Sequence, residues 1–312
     1  MLQPDPSPPH YLKVIPTGNL ALDLALGIGG IPCGFITEIY GPESSGKTTI
    51  GLSIVAEAQR AGGICAWIDA DHGLDAGYAS QCGIDASKVF ISEPQNSEQA
   101  LDIAVSLLRS EAVAMIVIDS VTALAPKVEI QGELGKSYYQ QQARIITQGL
   151  RRLSTTLKHS ETAIVLTNQL RLRKDIIHNQ VHASTAGLTL KLHAALRLEL
   201  QDPVKIFTDG IFRGTRIQIH VHKNKFVPTF PTIELELLYN QGIRRIGEIL
   251  DLAVEYGLVH RKNSSLWFRD LEVGQDRGSS LERLQKDSHL VIEIEQALRQ
   301  RLLPPIPLVE RK

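Results

Sequence analysis

The chain has 312 residues, enough for one large domain or two with a real hydrophobic core, which excludes a small disulfide-stapled scaffold. Apolar residues make up 43% and charged residues 21%, a globular composition and neither a disordered nor a fibrous one. The 33 Lys+Arg and 34 Asp+Glu leave a formal net charge of -1, which taken whole argues against a nucleic-acid partner.

MLQPDPSPPH carries neither the basic cluster nor the apolar stretch of a signal peptide, and its prolines predict an extended, disordered segment over 1–10. From about Tyr11 short apolar runs alternate with longer amphipathic patterns, which predicts βα units in a mostly parallel sheet. The predicted strands are Phe35 to Tyr40, Ile64 to Ile68, Met115 to Ile118 and Ala163 to Thr167, with crossover helices at Ile50 to Arg60 and Ser97 to Arg109. Leu196 to Leu200, Arg216 to Val221 and Ile233 to Tyr239, broken by turn residues such as Thr208-Asp209-Gly210, predict an antiparallel extension. A core over 11–243 is then followed by a small domain over 244–303, with helical patterns around Trp267 and Phe268, and by a tail over 304–312. No apolar run reaches the roughly 18 residues of a membrane span. Cys33, Cys65 and Cys82 form no CxxC pair and lack His at ligand spacing, which points to a reduced, cytoplasmic protein without a zinc site.

Gly41-Pro42-Glu43-Ser44-Ser45-Gly46-Lys47-Thr48 fits GxxxxGK[ST] between a strand and a helix. The glycines let the backbone wrap phosphates, the helix start adds its positive end, Lys47 supplies a full charge, and the Thr48 hydroxyl would hold Mg²⁺. Asp119 ends an apolar strand where a carboxylate can reach that metal through water; capping the next turn is the plainer alternative. Asp69, Asp71 and Asp75 cluster after the second strand, and spacing does not choose which of them would orient an attacking water.

Charge is unevenly distributed. From Arg144 to Arg197 nine Lys/Arg, among them Arg171, Arg173 and Lys174, face only Glu161 and Asp175, so this segment carries about +7 and the rest about -8. Arg144 and Arg151 lie two helical turns apart, on one face.

GPESSGKTT, IDADHGLD, VIDSVTALAPKVEIQGELG, TNQLR and HKNK, in this order, resemble the bacterial RecA recombinases from roughly Ile15 to Leu303. The resemblance implies a P-loop ATPase core with a small C-terminal α/β domain, using ATP and Mg²⁺ and assembling on single-stranded DNA for pairing with homologous duplex DNA. It implies that Asp71 stands where the family has its catalytic glutamate, one methylene shorter, and that Gln169 senses the γ-phosphate. Thr49 belongs to the nucleotide loop, Asp75 and Tyr78 match adenine-side contacts, and Tyr239 matches the aromatic against the base. Lys223 and Lys225 match lysines that reach the nucleotide of a neighbouring subunit. Arg144 and Arg151 match phosphate-holding residues, and two DNA loops correspond to 129–143, with Tyr139 at the position of an inter-base wedge, and 171–192, with Arg171, Arg173 and Lys174. The chain departs from the family at the front, where about ten Pro-rich residues replace a helix and strand that pack on the next subunit. Two functions follow: a recombinase promoting strand exchange, or a low-turnover, ATP-dependent DNA-binding paralogue without it.

Overall fold

The computed structural model describes residues 12–133, 136–173, 181–184, 187–208, 210–228, 231–262 and 264–303. The expectations for 1–10, for Lys174 and for the tail lie outside them. Val14–Ile15 (β1) and Ile31–Pro32 (β2) pair around helix α1 (Leu20–Leu26). The chain continues through β3 (Ile36–Gly41), α2 (Lys47–Arg60), β4 (Cys65–Asp69), α3 (Ala76–Gln81), β5 (Val89–Ser92), α4 (Ser97–Ser110) and β6 (Met115–Asp119). Then come α5 (Lys127–Ile130), α6 (Tyr139–Leu157), β7 (Ala163–Arg173), β8 (Val181–Ser184), α7 (Gly187–His193), β9 (Leu196–Thr208), β10 (Ile211–Asn224), β11 (Thr232–Leu238) and β12 (Gly242–Ile243). The last part holds α8 (Ile246–Glu255), β13 (Val259–Lys262), β14 (Ser265–Phe268), β15 (Leu271–Gly274), α9 (Arg277–Lys286) and α10 (Ser288–Leu302).

One large sheet has the order β12-β11-β10-β9-β3-β7-β6-β4-β5, with β8 on β7. From β9 to β5 the strands are parallel, while β9 to β12 form the antiparallel extension. The central strands are buried on both faces, and their alternate residues serve two cores. Cys65, Trp67, Met115 and Val117 pack with Ile50, Ile54 and Val55 of α2, whereas Ala66, Ile68, Ile116 and Ile118 pack with Leu101 and Leu108 of α4 and Leu150 and Leu153 of α6.

Three expectations change. Trp267 and Phe268 lie in a three-stranded antiparallel sheet rather than in helices, because Leu266 and Phe268 alternate inward with period two and Ser264 and Arg269 take the left-handed turn conformations at either end of β14. The segment 171–192 is not all loop: 170–173 pair antiparallel with 181–184, and α7 buries Leu190. In 129–143, Tyr139 already begins α6.

The third core, built from α8, α9, α10 and the small sheet, includes Leu20 of α1, so α1 bridges the two parts of the molecule. Charged groups line this seam. Arg299 Nη2 donates to Asp23 Oδ2 at 2.6 Å, Arg245 Nη2 to Glu295 Oε2 at 2.5 Å and Arg245 Nη1 to Glu57 Oε1 at 3.1 Å. Glu248 accepts from the Asn19 side chain and the Ala21 N–H.

Burial pushes the carboxyls of Asp23 and Glu248 up to about 7, Arg299 and the Ala21 N–H opposing it respectively. The native state therefore keeps protons that the unfolded chain has released, and these two groups subtract stability as pH rises from about 4 to 7. Glu248→Gln is expected to flatten that slope: between pH 4.5 and 7.5 the wild-type denaturation midpoint should fall further relative to the variant, and parallel midpoint curves would refute the assignment.

Candidate nucleotide site and basic face

The loop between β3 and α2 is tightly seated. Gly46 caps α2 at φ 90°, and a Cβ there would lie 2.2 Å from Leu237 Cδ1; one on Gly41 would lie 2.5 Å from the Leu200 carbonyl oxygen. Ser45 Oγ donates to the Pro42 carbonyl at 2.9 Å, while Pro42, Glu43 and Ser44 are exposed. Buried Lys47 donates from Nζ to the carbonyls of Gly41 at 3.3 Å and Pro42 at 2.5 Å. Burial lowers its pKa, and Asp119, Asp71 and Glu43 act against that shift.

Asp119 ends β6 at 6% exposure. Thr48 Oγ1 donates to its Oδ2 at 2.8 Å and Thr167 Oγ1 to its Oδ1 at 2.5 Å. Burial raises its pKa, the two hydroxyls lower it, and Asp71 and Asp69 raise it further. Thr167 was not anticipated; the signal available was a run of polar residues, Thr167-Asn168-Gln169, closing an apolar strand.

The three neighbouring aspartates separate by their partners. Asp69 is buried and accepts from the N–H groups of Gly73 at 3.3 Å and Leu74 at 2.9 Å, so it shapes the loop after β4. Asp75 is the N-cap of α3, accepting from Tyr78 N–H at 2.7 Å. Asp71 has its backbone N–H on the Asp119 carbonyl at 3.2 Å; burial raises its carboxyl's pKa, Asp69 adds to this, and Lys47 opposes it. Of the three, Asp71 is the one whose carboxyl interacts electrostatically with Lys47.

Tyr78 OH and Thr49 Oγ1 are 2.9 Å apart, which fixes α3 against α2. Gln169 is the register partner of Gly41 in the parallel β3–β7 pair and thus stands beside the start of the phosphate loop. Tyr239, 65% exposed, follows β11 two residues after the Leu237 that meets Gly46, and its ring lies 6.0 Å from Phe212 in an edge contact. Lys223 sits at the C-terminal end of β10 and Lys225 just past it; Lys223 donates to the Lys191 carbonyl, and burial together with Lys225 and Arg197 lowers its pKa.

On α6, Ile146, Leu150, Leu153 and Leu157 turn inward, leaving Arg144, Gln148 and Arg151 exposed along a groove with Ala143 and Thr147. Tyr139 is half-exposed at the helix start. Arg152 is engaged by Asp102 at 2.6 Å. Arg197, counted in the basic segment, does not add to this face: it is 7% exposed, donates to Glu38 Oε2 at 2.5 Å and lies 4.5 Å above the Tyr40 ring. Its partner, Glu38, is too distant in sequence for that burial to be read from composition. Arg171 and Arg173 occupy backbone positions in the part of β7 that pairs with β8.

Among the described residues no helix is long and apolar enough to cross a membrane, and no group of three or more His, Cys, Asp and Glu is placed to chelate a metal ion. The RecA N-terminal domain family matches residues 5–244. The chain is 42% identical over 289 residues to Protein RecA of Bartonella tribocorum, covering 93% of this chain and 83% of that protein. It is 43% identical over 293 residues to Protein RecA of Acidothermus cellulolyticus, covering 93% and 84%, and 41% identical over 302 residues to Protein RecA of Roseiflexus sp., covering 96% and 86%. Similarity of that extent, over a doubly covered parallel sheet with the phosphate loop, Asp119 and Gln169 at one edge, establishes that the chain belongs to the RecA family.

Proposed function

We propose that the protein is an ATP-dependent single-stranded-DNA-binding recombinase that promotes pairing and strand exchange with homologous duplex DNA. The observation that carries this reading is the continuity of β7: Gln169 lies beside the phosphate loop, and the same strand runs on to Arg171 and Arg173.

The nucleotide and its metal fit the residues present. The loop packs too closely for any side chain at Gly41 or Gly46, buried Lys47 stands against acidic groups, and the Thr48 hydroxyl and Asp119 carboxylate meet at 2.8 Å. Thr48 would hold Mg²⁺ and Asp119 would support it through water, where the ion would supply positive charge against the phosphates. Lys47 adds a fixed cation, the α2 N-terminus directs N–H groups to the phosphates, and Tyr239 with Tyr78 offers aromatic surface to the base. Asp71 orients the attacking water. Lys223 and Lys225 serve the nucleotide of an adjacent copy, which makes ATP part of the contact between copies in a DNA-bound assembly. ATP hydrolysis should rise severalfold when single-stranded DNA is added, and homologous strands should exchange; DNA-independent hydrolysis without exchange would refute the reading.

A specific observation favours slow turnover. The Asp71 N–H donates to the Asp119 carbonyl at 3.2 Å, which ties its backbone to the end of β6, and its side chain is one methylene shorter than the glutamate the family carries. Misplacement of this size can cost on the order of a hundredfold in rate. Asp71→Glu is therefore expected to raise DNA-stimulated kcat by about tenfold or more while ATP affinity changes by less than about threefold. An unchanged kcat would show that the shorter carboxylate is already in place.

Binding of the single strand through Arg144 and Arg151 is electrostatic and independent of sequence. Replacing both by Ala should weaken binding of unrelated oligonucleotides alike and reduce the slope of log K against log salt by about 1.4, about 0.7 per phosphate contact. A slope equal to wild type in fluorescence-anisotropy titrations would place the strand elsewhere.

A further inference from the structure

We infer that Thr122 is a positioning residue for Gln169, tying the main chain of that residue to the buried Glu38–Arg197 pair. The inference rests on the reading of Gln169 as the contact to the γ-phosphate. Thr122 lies in the single helical turn Val121–Ala123, separated from Asp119 by Ser120 alone. β6 pairs with β7 only as far as Ile118 and Leu166, so beyond that point the N–H of Gln169 has no neighbouring ladder on that side. The Thr122 hydroxyl takes its place. Gln169 N–H donates to Thr122 Oγ1 at 3.0 Å, and Thr122 Oγ1 donates to Asn168 Oδ1 at 2.9 Å.

A hydroxyl has one proton, so committing it to Asn168 leaves the oxygen lone pairs to receive the Gln169 N–H. Polarity then runs in one direction. Asn168 Nδ2 donates to Glu38 Oε1 at 3.0 Å, and Glu38 Oε2 accepts from Arg197 Nε at 2.5 Å; Asn168 and Glu38 are fully buried and Arg197 nearly so. Arg197 is the register partner of Lys223 across β9 and β10. The chain of contacts thus begins at the main chain of Gln169 and ends on the strand pair that carries Lys223. Because each member is buried or half-buried and has a partner, loss of the one hydroxyl frees a donor and an acceptor together.

The test uses the full chain with Thr122→Val, which keeps the side-chain shape and removes the hydroxyl, and Thr122→Ser, which restores it. Dissociation constants are measured for ADP and for a slowly hydrolysed ATP analogue, each with Mg²⁺, together with DNA-stimulated kcat. The valine variant should lose about tenfold in its preference for the triphosphate and about tenfold in stimulated kcat, with ADP affinity within about twofold of wild type, and serine should recover most of both. Retention of the preference, or an equal loss of ADP and triphosphate affinity, overturns the inference. Thr122→Ala repeats the measurement without a branched methyl should valine disturb packing. Gln169→Ala separates the two layers: if it leaves the triphosphate preference intact, the reading of Gln169 fails. If Gln169→Ala removes the preference and the hydroxyl-free Thr122 variants keep it, only the role of Thr122 fails.

Discussion

Hydrogen-bonded parallel strands end in register, and the rest of this structure depends on that constraint. Gly41 on β3 stands opposite Gln169 on β7, and Asp69 on β4 opposite Asp119 on β6, so residues far apart in the chain arrive at one sheet edge. Burial on both faces keeps them there. A slip of one residue in β6 would turn Met115 and Val117 toward α4 and α6, turn Ile116 and Ile118 toward α2, and move Asp119 away from Thr48. The chemistry at the edge is specified by the packing beneath it.

That edge is also where the fold gives up stability. Asp119 is buried with its ionised form disfavoured, and Lys47 is buried with its ammonium disfavoured, each only partly compensated by its neighbours. Both shifts disfavour the charged form, so a ligand carrying the opposite charge to Lys47 would relieve part of that cost. Asp69 shows the contrasting use of the same residue type: both its oxygens are occupied by backbone N–H groups, and it builds the loop that presents Asp71. The seam near α1 holds a second strained set, in which Asp23 and Glu248 remain buried because Arg299 and the α1 backbone give them partners.

What the sequence made legible was whatever depended on spacing or alternation. The phosphate loop could be read because its residue types follow from the chemistry at fixed intervals, and the main strands because their apolar runs lay between helical patterns. Three kinds of feature could not. Short elements such as Val89–Ser92, Val181–Ser184 and Ser265–Phe268 offer too few residues for a period to declare itself. The choice among Asp69, Asp71 and Asp75 turned on which carboxylates the backbone already occupied. The burial of Arg197 and the contacts of Thr167 and Thr122 depended on partners brought in from other strands, Glu38 and Asp119 among them. Among the described residues of 144–197, Arg152 and Arg197 are engaged by carboxylates.

β7 changes the direction of its neighbours along one uninterrupted backbone: parallel β6 and β3 up to Leu166 and Gln169, then antiparallel β8 from Leu170 to Arg173. At about 3.3 Å per residue, Arg171 stands roughly 7 Å beyond Gln169 with no turn between them. An extended strand is close to its maximum length, so it has little slack along its axis. The backbone spacing between Gln169 and the segment paired with β8 is therefore set by strand geometry alone, without an intervening turn.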